Sequence, residues 1–64
     1  MKRTRIVFYN VVDARKLIAF NQRTGYRLMR MPAFNTVELI GELDDILQDA
    51  LSWFDWKSTV TFEV

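Results

Sequence analysis

The chain has 64 residues, with nine Lys and Arg against eight Asp and Glu, and neither cysteine nor histidine. One small α+β domain spanning residues 1–64 is expected, and a chain of this size buries only about 60% of the surface its unfolded form exposes. Without cysteine no disulfide or thiolate metal site can assist folding, and without histidine the usual zinc and haem sites and histidine-based triads are excluded.

In chain order, residues 4–12 are rich in β-branched and aromatic types and predict a strand. Ile6, Phe8 and Val12 fall on one face, and Val7, Tyr9 and Val11 on the other, which suits an interior strand. Residues 13–25 admit two readings. In the favoured one, Asp13 to Lys16 is a turn, Leu17 to Asn21 a strand and Gln22 to Gly25 a hairpin loop. In the other, Asp13 caps a short helix that ends at Gly25 as a C′ glycine. Tyr26 to Met31 reads as a strand that Pro32 terminates.

Asn35 to Trp56 predicts one long amphipathic helix. Asn35 and Glu38 are spaced as a capping box, and Phe34 and Leu39 as a hydrophobic staple. Leu39, Ile40, Leu43, Ile46, Leu47, Ala50, Leu51, Trp53 and Phe54 then recur on one face centred near Leu43. Asp55 to Ser58 is a short connection. Thr59 to Val64 alternates as a half-buried strand with Val60, Phe62 and Val64 inward. The expected fold is a three-stranded antiparallel meander, one amphipathic helix packed on the sheet and one C-terminal strand, β-β-β-α-β. The alternative is β-α-β-α-β. A right-handed crossover places the last strand parallel to and beside the first.

The net charge of +1 conceals an asymmetry. Residues 1–32 hold eight bases and one acid, and residues 33–64 hold seven acids and one base. Either the halves screen each other, or they form two faces of opposite potential.

For catalysis the inventory is poor. Ser52 and Ser58 are the only serines, with no histidine to activate them. Glu42, Asp45 and Asp49 share one side of the predicted helix and could touch Mg²⁺. One helix face offers no convergent cage, however, and a solvated acidic face is the expectation. No metal, cofactor or enzymatic activity is therefore expected.

The sharper constellation is a stripe. Glu38, Glu42, Asp45 and Asp49 follow a 4-3-4 spacing that Trp53 and Trp56 continue. Like charges so spaced repel, so folding alone does not favour the row. Aromatic anchors beside steering charges suit an interface with a protein partner, and the expected binding residues are Glu42, Asp45, Asp49, Trp53 and Trp56. The competing account has both tryptophans closing the core and the acids paired with Arg27, Arg30 or Lys57. The basic half supports a second class, a small RNA- or DNA-binding protein. It would use Arg15, Lys16, Arg23 and Arg27, with Tyr9, Phe20 and Tyr26 offered for stacking. No ribonucleoprotein, helix-turn-helix or zinc motif accompanies them.

In size and composition the chain resembles the small inhibitor proteins that phages deploy against host machinery, anti-CRISPR proteins among them. That resemblance implies a short, non-enzymatic protein acting by steric occupation of a macromolecular partner in the host cytoplasm. No apolar run approaches the ~20 residues of a membrane span, and a cytoplasmic location is expected. The edge of Thr59 to Val64 offers a route to a homodimer.

Overall fold

The computed structural model describes residues 1–25 and 27–64. Its sheet is built on β1 (Lys2–Phe8), whose Thr4, Ile6 and Phe8 alternate into the core. Asn10 then turns the chain. It adopts extended backbone, and its side chain accepts from the N–H of Asp13 at 2.8 Å, capping α1 (Val11–Thr24). Ala14 and Leu17 are the buried apolar positions of that helix. Gly25, at φ 62°, ends it in the left-handed region, its N–H donating to the Asn21 carbonyl at 2.7 Å. β2 (Met29–Ala33) and β3 (Thr36–Ile40) form a hairpin across Phe34 and Asn35. α2 (Asp45–Leu51) follows, and β4 (Trp56–Glu63) closes the sheet.

The strand order is β2-β3-β1-β4, and β1 pairs antiparallel with both β3 and β4. Each helix therefore crosses between two strands with a third wedged between them. That is the split β-α-β arrangement, twice interleaved, known as the ferredoxin-like topology. Both helices join one core. Ala14 and Leu17 of α1 and Leu47 and Leu51 of α2 pack with Ile6, Phe8, Val37 and Leu39 of the sheet. One sheet face is thus covered by helices, and the other is open.

The α+β class is as the sequence implied, but the elements are distributed differently. Residues 11–24 are a helix, so the turn, strand and hairpin loop expected over 13–25 are replaced by the capped-helix alternative. The C′ role of Gly25 is kept, while the N-cap is Asn10 rather than Asp13. The long helix from Asn35 does not form. Thr36, Val37 and Ile40 are β-branched, the two-residue turn places them beside β2, and Gly41 at φ 94° interrupts any helix before residue 45. Asn35 instead ties the hairpin turn to β1: Phe8 N–H donates to its carbonyl at 2.8 Å, and its Nδ2 donates to the Phe8 carbonyl at 3.2 Å. Phe34 is exposed and staples nothing.

β4 lies beside β1 as expected, yet antiparallel to it. The strand that feeds the crossover is β3, and β1 sits between it and β4. The face of β4 is also reversed. Thr59 and Thr61 stand opposite Ile6 and Thr4, with Thr61 Oγ1 2.9 Å from Thr4 Oγ1, so Val60 and Val64 are exposed on the open face. Pro32 falls inside β2, which an edge strand tolerates. The expectations placed on Tyr26, a strand start and a stacking ring, lie outside the described residues.

Candidate functional site

On the open sheet face, Glu38 is the hub. Its β3 neighbours Val37 and Leu39 point into the core, so Glu38 points away from it. Register places Arg5 of β1 and Arg30 of β2 directly opposite on either side. Arg5 Nη2 reaches Glu38 Oε2 at 2.9 Å, while Arg3 Nη1 and Arg30 Nη2 both reach Oε1 at 3.2 Å. Roofed by these side chains, Glu38 is only 3% exposed. The Arg5 hydrogen bond, joined by the bond and charge of Arg30, holds its carboxyl below the usual carboxylate range, with desolvation opposing. Arg5 also lies over the Phe62 ring, 5.1 Å from its centroid.

At the sheet end, Arg27 fastens the loop that leads into α2. Its Nη1 donates to the carbonyls of Ile40 and Glu42, each at 2.9 Å, and its Nη2 bonds Asp44 Oδ2 at 2.8 Å. Asp44 uses its other oxygen to accept from Leu47 N–H at 2.9 Å, capping α2. Asn21 brackets Arg27 from α1, accepting from its N–H at 2.7 Å and donating Nδ2 to its carbonyl. Glu42 bonds Lys2 Nζ at 2.6 Å, which lowers its carboxyl pKa.

The helix layer carries a groove. Phe20 of α1 faces Ile46, Asp49 and Ala50 of α2 across a cavity of about 380 Å³, which Trp53 and Phe54 extend. Trp53 is 81% exposed and Ile46 53%. Asp45 and Asp49, four residues apart, are exposed on the α2 side. Lys16 and Arg23, four before and three after Phe20, are exposed on the α1 side. The groove is apolar at its floor, and Asp49 stands on its α2 side.

Of the residues expected to bind a protein, Asp45, Asp49 and Trp53 remain together on and just after α2. Glu42 is separated from them, tied to Lys2 in the loop. Trp56, 43% exposed, opens β4 and borders a different cavity with Leu43, Leu51 and Thr59. Glu38, first in the expected stripe, is on the far face of the sheet. Of the residues expected to bind nucleic acid, Arg15, Lys16 and Arg23 are exposed along α1, whereas Arg27 is engaged by Asp44 and two carbonyls. Among the described residues no three acidic side chains form a group that could hold a metal ion. No helix of the described residues is long and apolar enough to cross a membrane.

Sequence reasoning missed Phe20, Ile46 and Phe54 as groove residues. It also missed the Glu38 cluster, although the alternation Thr36-Val37-Glu38-Leu39 carries a strand signal that could have revealed it. The chain matches no protein-family model, no curated protein and no solved structure.

Proposed function

We propose that the chain is a non-enzymatic binding module that occupies the surface of a protein partner through the groove between α1 and α2. The observation that carries this reading is the exposure of Trp53 at 81%, next to the half-exposed Ile46 and the groove floor. A domain this small needs its large rings for the core, yet Trp53 contributes little to it. Buried tryptophans are prominent among interface anchors, and steering charges suit the rim. The fitting partner segment is an apolar side chain flanked by basic groups toward α2 and acidic groups toward α1. Steric occupation of host machinery by a phage-type, anti-CRISPR-like inhibitor is the specific form we favour, on the strength of size, composition and this mode of contact. The test is recovery of a partner from host lysate by wild type and by Trp53→Ala. Loss of the partner with the fold retained supports the reading, and equal recovery removes the groove from it.

A second reading, nucleic-acid binding, is favoured by Arg15, Lys16 and Arg23, exposed on one helix with no acid within ion-pair distance among the described residues. Phosphate contacts by these groups would make affinity fall steeply between about 50 and 200 mM salt. Absence of binding to random oligonucleotides at the lower salt excludes it.

A further inference from the structure

The sheet has two edges of unlike character. β2 is five residues long and carries Pro32, which blunts it. β4 is eight residues long, without proline and almost wholly exposed, and its one irregularity, at Lys57, leaves Ser58 to Glu63 as a regular strand. Val64 N–H donates to the Met1 carbonyl at 2.8 Å, which fixes the direction of the β4 backbone. By the alternation of an antiparallel ladder, Phe62 and Val60 also bond toward β1, opposite Arg3 and Arg5. Thr59, Thr61 and Glu63 then direct their N–H and C=O groups outward, as a template for another strand.

We infer that the occupant of this edge is a second copy of the same chain, paired antiparallel about a two-fold axis through Val60. The sequence of β4 complements itself in that register. Val60 meets Val60 of the second copy, Thr59 meets Thr61 and Ser58 meets Phe62; Lys57, the extra residue where the register of β4 with β1 shifts, comes next, on the side of Glu63. Opposite charges face each other at both ends, and outward-bonding Thr59 meets outward-bonding Thr61, as a ladder requires. Other registers lose this match. An axis at Thr59 sets Glu63 toward Asp55, and an axis at Glu63 opposes the two Glu63 side chains. Lys57 has no acid within ion-pair distance among the described residues, and Glu63 bonds only the exposed chain amine, at 3.0 Å. On the helix side, the cavity lined by Leu43, Leu51, Trp56 and Thr59 borders this same edge, so an apolar rim accompanies the strand. Two sheets so joined form one continuous eight-stranded sheet, with Val60 and Phe62 of both copies adjacent on the open face. The inference is independent of the helix groove, which lies between α1 and α2.

The absence of native cysteine makes the register directly testable. Val60 occupies a non-hydrogen-bonded pair, where Cα atoms approach to about 4.5 Å, within the disulfide range. Val60→Cys should therefore form a covalent dimer rapidly under mild oxidation, whereas Phe62→Cys, which faces Ser58, should link slowly. Sedimentation of the wild-type chain across micromolar to millimolar concentrations should show a dimer. Lys57→Glu should weaken it about tenfold or more, because both symmetric pairs become repulsive. The swap Lys57→Glu with Glu63→Lys should restore it, and circular dichroism of each variant checks the fold. A wild-type chain monomeric throughout overturns the inference. So does equal cross-linking at Val60→Cys and Phe62→Cys, or a swap that stays as weak as the single reversal while folded.

Discussion

Glu38 sets one carboxylate beneath three guanidinium groups, and its removal leaves Arg3, Arg5 and Arg30 facing one another on the open sheet. Glu38→Gln should lower the melting temperature at pH 7. The pH dependence has a definite sign. A carboxyl held below its unfolded value contributes stability that is fully present above that value, about 4.3, and is lost as pH falls through the lower folded value. The difference in melting temperature between wild type and Glu38→Gln should thus be full at neutral pH and shrink below about pH 4. A difference that does not change with pH would show that the arginines do not depend on the Glu38 charge. In the core, Leu47 is fully buried, and Leu47→Ala should cost about 2–5 kcal/mol in denaturant unfolding. Leu43, which the sequence placed at the centre of a long helix, is only half-buried in the loop before α2, so Leu43→Ala should cost clearly less.

Among the elements, α2 depends most on its cap, because seven residues make a marginal helix without tertiary support. Asp44→Ala removes both the cap and the Arg27 ion pair, and a loss of about 0.5–2 kcal/mol in equilibrium unfolding is expected from the cap alone. Gly41→Ala should also destabilise, since its Cβ would meet Arg27 Nη1 at 2.9 Å and its φ is 94°. The core of β1 was legible because short-range chemistry decides it, although Val11 and Val12, expected in that strand, open α1; the Gly25 cap belonged to the less favoured reading of 13–25, and the place of the last strand beside β1 came from the crossover rule, which gave the wrong direction. The split of 35–56 was not. Leu39, Leu43 and Leu47 recur at helical spacing, yet Leu39 is held in the sheet by pairing with Thr4 and Met29, which no local pattern reveals. The same tertiary pairing turned Glu38 from the head of an acidic helix stripe into the hub of a basic sheet face. The inward face of β4 was misread because alternation fixes which residues share a side, while the register with β1 decides which side meets the core. Within the candidate site, Asp45, Asp49 and Trp53 were grouped by their four-residue spacing along the expected helix, and they stay together although Trp53 falls just after α2. Phe20 was not, because it comes from another helix.

At the scale of the molecule, the sequence's charge asymmetry resolves in two ways. Where the halves meet, across Arg27 and Asp44, Lys2 and Glu42, and the Glu38 cluster, opposite charges hold strands and loops together. Where they do not, Lys16 and Arg23 on α1 and Asp45 and Asp49 on α2 remain exposed, and Asp49 lines the helix groove. Reversing Asp45 and Asp49 to Lys should leave the melting transition nearly unchanged, because exposed charges contribute little to stability. The same change should slow association with a partner that presents bases to α2, and alter its salt dependence. In the proposed mode of binding, Trp53 and its groove, rather than Trp56, meet the partner. The most direct test is quantitative recovery of a partner from host lysate by wild type, Trp53→Ala and Trp56→Ala, each checked for folding. Wild type and Trp56→Ala should retain the same protein, and Trp53→Ala should lose it. Retention by Trp53→Ala at the wild-type level would show that the partner does not dock through Trp53.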